Sequence, residues 1–179
     1  MAVPSFTTGE VLTAANMNVV GLWRVGSITF TGQTGANLDS VFTSSFRNYL
    51  IVADLTTSAS ETIIYQLRAG GTTNTGLNVS AVQSYFQYGT AGNFFNQITN
   101  QTYGYFAYVD TNGAGCQLNL FGPQLAKYTY STATAPAITF PSFSQSKHAV
   151  ATQYDGIRIA SFGAATITGR VDVYGYNAN

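Results

Sequence analysis

The chain has 179 residues, of which 45% are hydrophobic and only 8% are charged. The hydrophobic content excludes an intrinsically disordered chain, and the length is sufficient for one domain with a substantial core. Seven basic and seven acidic residues give zero net charge, which excludes the electrostatic footprint of a nucleic-acid-binding protein. An ordinary soluble domain has about 25% charged residues. Here Ser, Thr, Asn, Gln and Gly must cover the surface instead, which favours close self-association.

Membrane and secretion signals are missing from the sequence. No apolar run approaches the ~20 residues that a membrane-spanning helix needs. The first residues lack the basic region and apolar core of a signal peptide, so secretion by the usual route is not expected. The lone cysteine, Cys116, rules out an internal disulfide and is expected to be a small core residue.

Residues 1–23 differ from the rest of the chain and are predicted to form an N-terminal arm. Pro4 disfavours helix in the residue before it, and Thr13 is a suitable N-cap for one or two helical turns that end near Gly21. A helix this short is not stable alone in water, so it must dock. It would either attach the chain to a partner or cap the chain's own β-domain. The apolar arm residues expected to make contact are Phe6, Leu12, Met17, Val20 and Trp23.

The central stretch of the chain, residues 46–71, is predicted to be a β-hairpin. Its first strand, from Tyr49 to Leu55, is almost continuously apolar, as in a strand covered on both sides. Its second strand alternates, which places Ile63, Tyr65 and Leu67 on one buried face. A polar connector, residues 56–60, joins the two strands.

The rest of residues 24–179 carries strand signals at regular spacing. A second hairpin is predicted from residues 103–110 and 115–121, with a turn at Thr111-Asn112-Gly113. Further strands are predicted at 24–31, 137–140, 149–154, 156–162 and 166–176. Residues 79–88 fit either a short helix or a strand, and their aromatic residues favour the strand. Longer loops, where binding specificity would lie, are predicted at 70–78, 91–102 and 123–134. Roughly nine or ten strands with Gly-rich turns indicate a sandwich or barrel. We predict a jelly-roll-like antiparallel β-sandwich.

Catalysis is not expected from the residues present. A single histidine excludes a zinc site built on several imidazoles, and His148 with Cys116 is the one Cys/His pair available. Neither lies in a segment typical of an active-site loop, so His148 is expected at the surface, at a strand start or in an intersubunit contact. Asp110 and Asp155 are interpreted as turn formers. No acidic pair has the spacing of a carboxylate dyad, and no Walker loop or Gly-x-Ser-x-Gly element occurs. We predict no enzyme activity, no cofactor and no metal.

Aromatic residues are the conspicuous class, with twelve Tyr, twelve Phe and one Trp. They concentrate between residues 85 and 108. One interpretation is a stacking platform for sugar rings on a host surface. The other is strand packing together with a subunit interface, because tyrosine combines a large contact area with a polar tip. The residues predicted to contact a glycan or another subunit are Tyr85, Tyr88, Phe94 and Phe95.

Two parts of the sequence resemble a known family. The segment from Pro4 to Asn18 resembles the N-terminal motif of virion proteins of tailed bacteriophages, F-x-x-G-x-x-L-T-A-A-x-M-N, which precedes a β-rich body. Residues 46–49 and 67–71, with the C-terminal residues 167–176, are similar to the β-sandwich bodies of phage fibre and decoration proteins. Those bodies often end on G-x-x-x-x-Y-G.

The resemblance implies a non-enzymatic structural component of the virion, a homotrimeric fibre, knob or decoration subunit. The arm would anchor it, and the sandwich would face outward on a particle assembled in the host bacterial cytoplasm. The implied partners are other copies of the chain and other virion proteins of head or tail, with neither nucleic acid nor membrane. An alternative is a carbohydrate-binding, receptor-recognition module at the tail tip that contacts a host surface glycan. A hydrolase of surface polysaccharide is disfavoured, because no acid/base pair was found.

Overall fold

A computed structural model describes residues 21–89, 92–137 and 140–178. Within these residues the chain forms thirteen β-strands and no helix. The strands are β1 (Trp23–Gln33), β2 (Gly35–Leu38), β3 (Phe46–Thr57), β4 (Glu61–Ala69), β5 (Thr72–Thr73), β6 (Val79–Phe86), β7 (Asn93–Gln101), β8 (Gly104–Val109), β9 (Ala114–Phe121), β10 (Thr129–Ala135), β11 (Ser142–His148), β12 (Gly156–Ser161) and β13 (Ile167–Ala178). The all-β class is confirmed, and the predicted arm helix lies outside the described residues.

The strands form two antiparallel sheets that enclose the core. The larger sheet has eight strands in the order β1-β13-β3-β9-β10-β11-β6-β7. The smaller has the order β2-β12-β4-β5, with β8 also paired to β4. Buried side chains from both sheets meet in one cluster, for example Ile51 and Leu118 from the larger sheet and Ile63 and Ile159 from the smaller. The predicted antiparallel β-sandwich is therefore confirmed.

The core consists of the inward-facing side chains of alternating strands. Along β3, the alternate residues Tyr49, Ile51, Ala53 and Leu55 are buried, while Leu50, Val52 and Asp54 between them are partly or fully exposed. The Tyr49 hydroxyl is satisfied locally, since it accepts a hydrogen bond from the Thr43 amide at 2.6 Å and donates to the Thr43 carbonyl at 2.8 Å. Cys116 is 1% exposed on β9, so its predicted core position is confirmed. β3 is thus covered on one face, not on both as its apolar run indicated.

The predicted central hairpin is wrong. β3 pairs with β13 and β9 in the larger sheet, whereas β4 pairs with β12, β8 and β5 in the smaller one. The connector, Ser58 to Ser60, crosses from one sheet to the other. Alternation of apolar and polar residues shows that a strand has one buried face. It does not show to which of the two sheets the strand belongs, because both sheets bury one face in the same core. The predicted face of Ile63, Tyr65 and Leu67 is confirmed, because all three lie in the core cluster.

The second predicted hairpin is wrong for the same reason. β8 belongs to the smaller sheet and β9 to the larger one. The predicted turn between them does exist. The Asn112 amide donates to the Asp110 carboxylate at 2.8 Å, and Gly113 adopts a left-handed φ of 87°. Asp110 is therefore a turn former, as predicted, but its turn joins the two sheets.

Two predicted loops and one predicted strand are also misplaced. Residues 91–102 were expected to be a loop, but β7 occupies most of them, and β10 begins inside the loop expected at 123–134. The strand expected at 137–140 lies partly outside the described residues. Ala137 forms an isolated bridge with Ala114, and β10 and β11 lie on either side of this segment. Residues 149–154, expected to turn back into β12, form no strand. The inward side chains of β10 and β11 are Thr, Ser, Ala and His, so these strands lack the apolar signal used to find strands.

Serine side chains hold the smaller sheet against β10 and β11. The Tyr108 amide donates to Ser142 Oγ at 3.1 Å, and Ser144 Oγ donates to the Tyr105 carbonyl at 2.8 Å. Unpaired backbone groups on β8 are therefore satisfied by the facing sheet. A further hydrogen bond of 2.8 Å joins the Tyr65 hydroxyl to Ser131 Oγ. This half of the interior is held by hydrogen bonds as well as by apolar contact.

Arg68 secures one end of the smaller sheet. Its guanidinium donates to the Asp39 carboxylate at 2.6 and 3.1 Å, to the Thr73 hydroxyl at 2.6 Å and to the Gly71 carbonyl. The hydrogen bonds from Arg68 hold the pKa of Asp39 below its ordinary value. The Asp155 carboxylate accepts from the Gly70 amide, in the turn between β4 and β5, at 3.1 and 3.2 Å. It therefore binds a turn that is distant in sequence, and not the Asp155-Gly156 turn that was predicted for it.

Candidate functional site

The outer face of the larger sheet carries an inverted side-chain pattern on β10 and β11. Ordinary surface strands place large apolar residues inward and polar residues outward. On β11, Ser142, Ser144 and Ser146 are buried, whereas Phe143 is 43% exposed. On β10, Tyr130 is 49% exposed next to buried small residues. Large aromatic side chains on the solvent side of a sheet mark this face as a candidate binding surface.

A depression of about 400 Å³, the trough, lies on this face. It spans β9, β10, β11, β6 and β7, and its volume is within the ~300–1,000 Å³ range of small-ligand sites. The outward side chains that give it its chemistry are Gln97, Phe121, Tyr130, Thr132, Gln145 and Lys147. These side chains come from four strands that the fold alone brings together.

Strand register sets the order of side chains across the trough. Tyr130 lies opposite Phe121 of β9 on one side and opposite Lys147 of β11 on the other. Lys147 in turn lies opposite Ser80 of β6. Directly opposite residues in an antiparallel pair have Cβ atoms about 4.5–5.5 Å apart. The four side chains therefore form a continuous row of two aromatic rings, then a cation, then the hydroxyl of Ser80.

The next row across the trough is formed by amides and a hydroxyl. Thr132 lies opposite Gln145, Gln145 opposite Val82, and Val82 opposite Gln97. Each glutamine amide supplies one acceptor and two donors, and both glutamines are exposed. A ligand in the trough would meet aromatic surface from one row and hydrogen-bonding groups from the other. Sugar rings, with apolar C–H faces and peripheral hydroxyls, match this arrangement.

Tyr85 and Phe94, two of the predicted contact residues, stack on each other at the inner face of the larger sheet. Their ring centroids are 4.9 Å apart, and Tyr85 also stacks on Tyr108 at 4.8 Å. The ring of Phe140 packs edge-on against both tyrosines of this stack. Tyr85 is thus half-buried between two rings, while Phe94 keeps 42% of its surface exposed. The pair packs where β7 extends the larger sheet.

Phe95 and Tyr88, the other two predicted contact residues, lie elsewhere. Phe95 faces the opposite side of β7 from Phe94 and is 66% exposed, in the same cross-strand row as Phe143. Tyr88 follows the end of β6 and is 68% exposed. The structure therefore brings Tyr85 and Phe94 together but does not place all four side chains on one surface.

The arm residues are described only in part. Trp23 opens β1, where it is half-buried and pairs with Gly175 of β13. The other predicted arm contacts, Phe6, Leu12, Met17 and Val20, lie outside the described residues.

The predicted surface position of His148 is wrong. His148 ends β11 and is 2% exposed, and a hydrogen bond of 2.6 Å joins its Nε2 to the Tyr154 hydroxyl. The two rings also pack edge to face at 5.1 Å. Burial lowers the pKa of His148, because the protein interior disfavours the charged imidazolium. The last residue of β11 points inward because of strand alternation, and its polar ring is accommodated by a buried tyrosine.

Cys116 and His148 do not have the properties of a nucleophile and its base. Burial raises the pKa of the Cys116 thiol to about 12, so the group remains a neutral thiol near pH 7. Its Sγ contacts the Ala114 carbonyl at 3.6 Å, and the imidazole of His148 is engaged with Tyr154.

Metal clusters and membrane-spanning helices are both absent from the described part of the chain. No group of three or more His, Cys, Asp or Glu side chains within it could hold a metal ion. Within the same ranges, no helix is long and apolar enough to span a membrane.

Sequence reasoning missed Phe121, Tyr130, Gln145 and Lys147. β10 begins in a segment that was assigned to a loop, and no strand was predicted over β11, so the alternation of both strands was not used. A usable signal was present, since residues 142–148 read S-F-S-Q-S-K-H, with serine at every second position. Such a period of two predicts a strand even when its inner face is serine.

Comparison with known proteins yields a distant likeness among solved structures. No protein-family model matches the chain, and no curated protein is similar to it. Among solved structures, the chain is similar to a peanut lectin with a 9mer peptide, over 95% of this chain and 94% of the lectin chain. The identity is 8% and the TM-score is 0.35. At these values, the likeness supports no inference about what this chain binds.

Proposed function

We propose that this chain is a non-enzymatic, carbohydrate-binding module of a tailed-phage virion, with the trough as its ligand site. The observation that carries the proposal is the row of Phe121, Tyr130 and Lys147 beside the amides of Gln97 and Gln145 in a depression of about 400 Å³. Aromatic surface next to amide and hydroxyl groups is suited to polyhydroxylated rings. Ligand recognition by a rigid sheet face needs no catalytic group.

The virion assignment rests on the sequence. The segment from Pro4 to Asn18 resembles the N-terminal motif of tailed-phage virion proteins, and the proposed role of residues 1–23 is attachment to the particle. Deletion of residues 1–22, which leaves β1 complete, should then yield particles without the protein, while the β-domain should still bind its glycan. Full occupancy on the particle without the arm would contradict the attachment role.

The glycan-binding proposal can be tested with purified protein and a panel of host-envelope glycans. We expect saturable binding that Tyr130→Ala weakens by about tenfold or more, because truncation of a central aromatic anchor costs on the order of 1–2 kcal/mol. Tyr128→Ala is a matched control, since Tyr128 is 46% exposed against 49% for Tyr130 and does not line the trough. Absence of binding across the panel, or equal loss in both variants, would contradict the assignment of the trough.

A second variant separates the trough from the earlier predicted contact residues. Tyr88→Ala removes a side chain that is 68% exposed beyond the end of β6. If the trough is the site, this change should leave the dissociation constant within about twofold. Loss of binding in Tyr88→Ala alone would move the glycan site to the connection between β6 and β7.

A structural role as a homotrimeric fibre, knob or decoration subunit is the second candidate. The observation that favours it is the exposure of Phe94 and Phe95 on opposite faces of β7, which is an edge strand within the described residues. Exposed aromatic side chains on an unpaired edge are typical of a protein interface. Light scattering should give a trimer mass that does not change with concentration, and Phe95→Ser should reduce it. A stable monomer would count against this candidate.

A further inference from the structure

We propose that the trough selects saccharides that carry an anionic group, and that Lys147 is the residue that determines this specificity. The inference rests on the proposed glycan-binding function and adds the chemical class of the ligand. Its support comes from the position of Lys147, from the distribution of charge over the sheet, and from the groups next to Lys147 in the trough.

Lys147 is the one charged side chain among the described residues that line the trough. It is exposed on β11, directly between Tyr130 of β10 and Ser80 of β6. None of the salt bridges within the described part of the chain involves it. An ammonium group offers three hydrogen-bond donors and no acceptor. Its natural counterpart in an otherwise neutral site is an anion on the ligand.

The acidic residues of this sheet face lie far from Lys147 in strand order. Asp172 on β13 is held by Arg170 at 2.7 Å and by Arg24 at 3.6 Å. Asp54 on β3 lies opposite Arg170. Both strands are separated from β11 by β9 and β10. Among the described residues, the carboxylates of this face and the arginines beside them thus occupy one half of it, and no described carboxylate lies beside the cation in the trough half.

The neighbours of Lys147 suit an oxyanion rather than a metal or a cationic ligand. The hydroxyls of Tyr130 and Ser80 flank it in the same row and can donate hydrogen bonds. Gln145, two residues earlier on the same face, adds amide donors. A carboxylate on a uronic acid and a phosphate on a polyol share the chemistry that these donors recognise. Phe121 and Tyr130 would contact the sugar ring that carries the anion.

The experiment compares three forms of one oligosaccharide: neutral, with a uronic-acid carboxylate, and with a phosphate ester. We expect the chain to bind at least one acidic form about three- to tenfold more tightly than the neutral form, with a preference that shrinks at high salt. Lys147→Gln should abolish the preference, so that the ratio of the dissociation constants for the neutral and acidic forms falls to about one. The carboxylate and phosphate arms identify which anion is preferred.

Lys127→Gln is the matched control, because it makes the same charge change at an exposed lysine outside the trough. The acidic preference should persist in this variant. Equal affinity for neutral and acidic forms, or a preference that survives Lys147→Gln, would overturn this inference while leaving the glycan-binding function intact. Binding to none of the three forms, or binding that Tyr130→Ala does not weaken, would instead overturn the proposed function and this inference with it.

Discussion

The burial of His148 leads to a sharp prediction about acid sensitivity. His148 is 2% exposed and hydrogen-bonded to Tyr154 at 2.6 Å. Because burial lowers its pKa in the folded state, the unfolded chain takes up a proton at a higher pH, near 6.5, than the folded chain does. As the pH falls below 6.5 towards the lower folded pKa, the unfolded state binds a proton that the native state refuses. The free energy of unfolding must therefore fall over this window.

The size of the effect follows from linkage. While only the unfolded state is protonated, the free energy of unfolding decreases by about 1.4 kcal/mol per pH unit. Between pH 7.5 and 5.5 the loss is at most about 1.4 kcal/mol, because little protonation occurs above pH 6.5. For a domain of this size, that loss corresponds to a decrease in Tm of about 3–5 °C.

The assay is urea unfolding at pH 7.5 and pH 5.5, with His148→Gln as the control. The sequence contains one histidine, so this variant removes all histidine titration from both states. The lowered pKa values of Asp39 and Asp172 act only below about pH 4, outside the window. We expect a loss in the parent protein that is absent in His148→Gln. An equal loss in both proteins, or none in the parent, would refute the reasoning.

Three further predictions concern stability and can be measured by urea unfolding. Arg68→Met should lower the free energy of unfolding by about 2–3 kcal/mol, because it removes the hydrogen bonds to Asp39 and Thr73. An unchanged free energy of unfolding would show that the turn between β4 and β5 is stable without these hydrogen bonds. Leu118→Ala should cost about 3–4 kcal/mol, since Leu118 is fully buried in the core; a loss under 1 kcal/mol would contradict its role there. Gly169→Ala should cost about 2 kcal/mol or more, because its φ is 155° and a Cβ would collide with the carbonyl oxygen of β3 residue Asp54; unchanged stability would mean that the β3–β13 pairing can shift.

Sequence patterns were informative about which strands exist and which face each one buries. The alternation of Ile63, Tyr65 and Leu67 predicted the core face of β4 correctly. The same patterns did not identify strand partners, so both predicted hairpins were wrong. A buried face only requires a core opposite it, and in a sandwich either sheet supplies one. Partner choice depends on register between distant strands, such as Val171 with Ala53, which is not encoded locally.

The candidate site was predicted least well. Tyr88 and Phe95 were singled out because aromatic residues are dense in that part of the sequence, and both are exposed in the structure. Phe121, Tyr130 and Lys147 are separated by 26 residues along the chain and become neighbours only through the pairing of β9, β10 and β11. No local pattern could bring them together. Because β11 was not predicted, the inward direction of its last residue, His148, was not predicted either.

The inverted pattern of β10 and β11 connects the hidden strands to the proposed binding face. Strands that place small polar residues inward contribute little apolar burial, so their stability depends on hydrogen bonds such as those of Ser131 and Ser144 to the facing sheet. The large side chains Tyr130 and Phe143 are then directed to solvent, where apolar exposure has a free-energy cost. A sequence that minimised this cost would exchange the two faces. The retained arrangement is accounted for if a ligand or another subunit covers those rings.

Binding should therefore stabilise the fold, and a saturating glycan at 100 times its Kd should raise the free energy of unfolding by about 2.7 kcal/mol. Tyr130→Ala should reduce that gain at the same glycan concentration, and an equal gain in both proteins would exclude the trough as the ligand site.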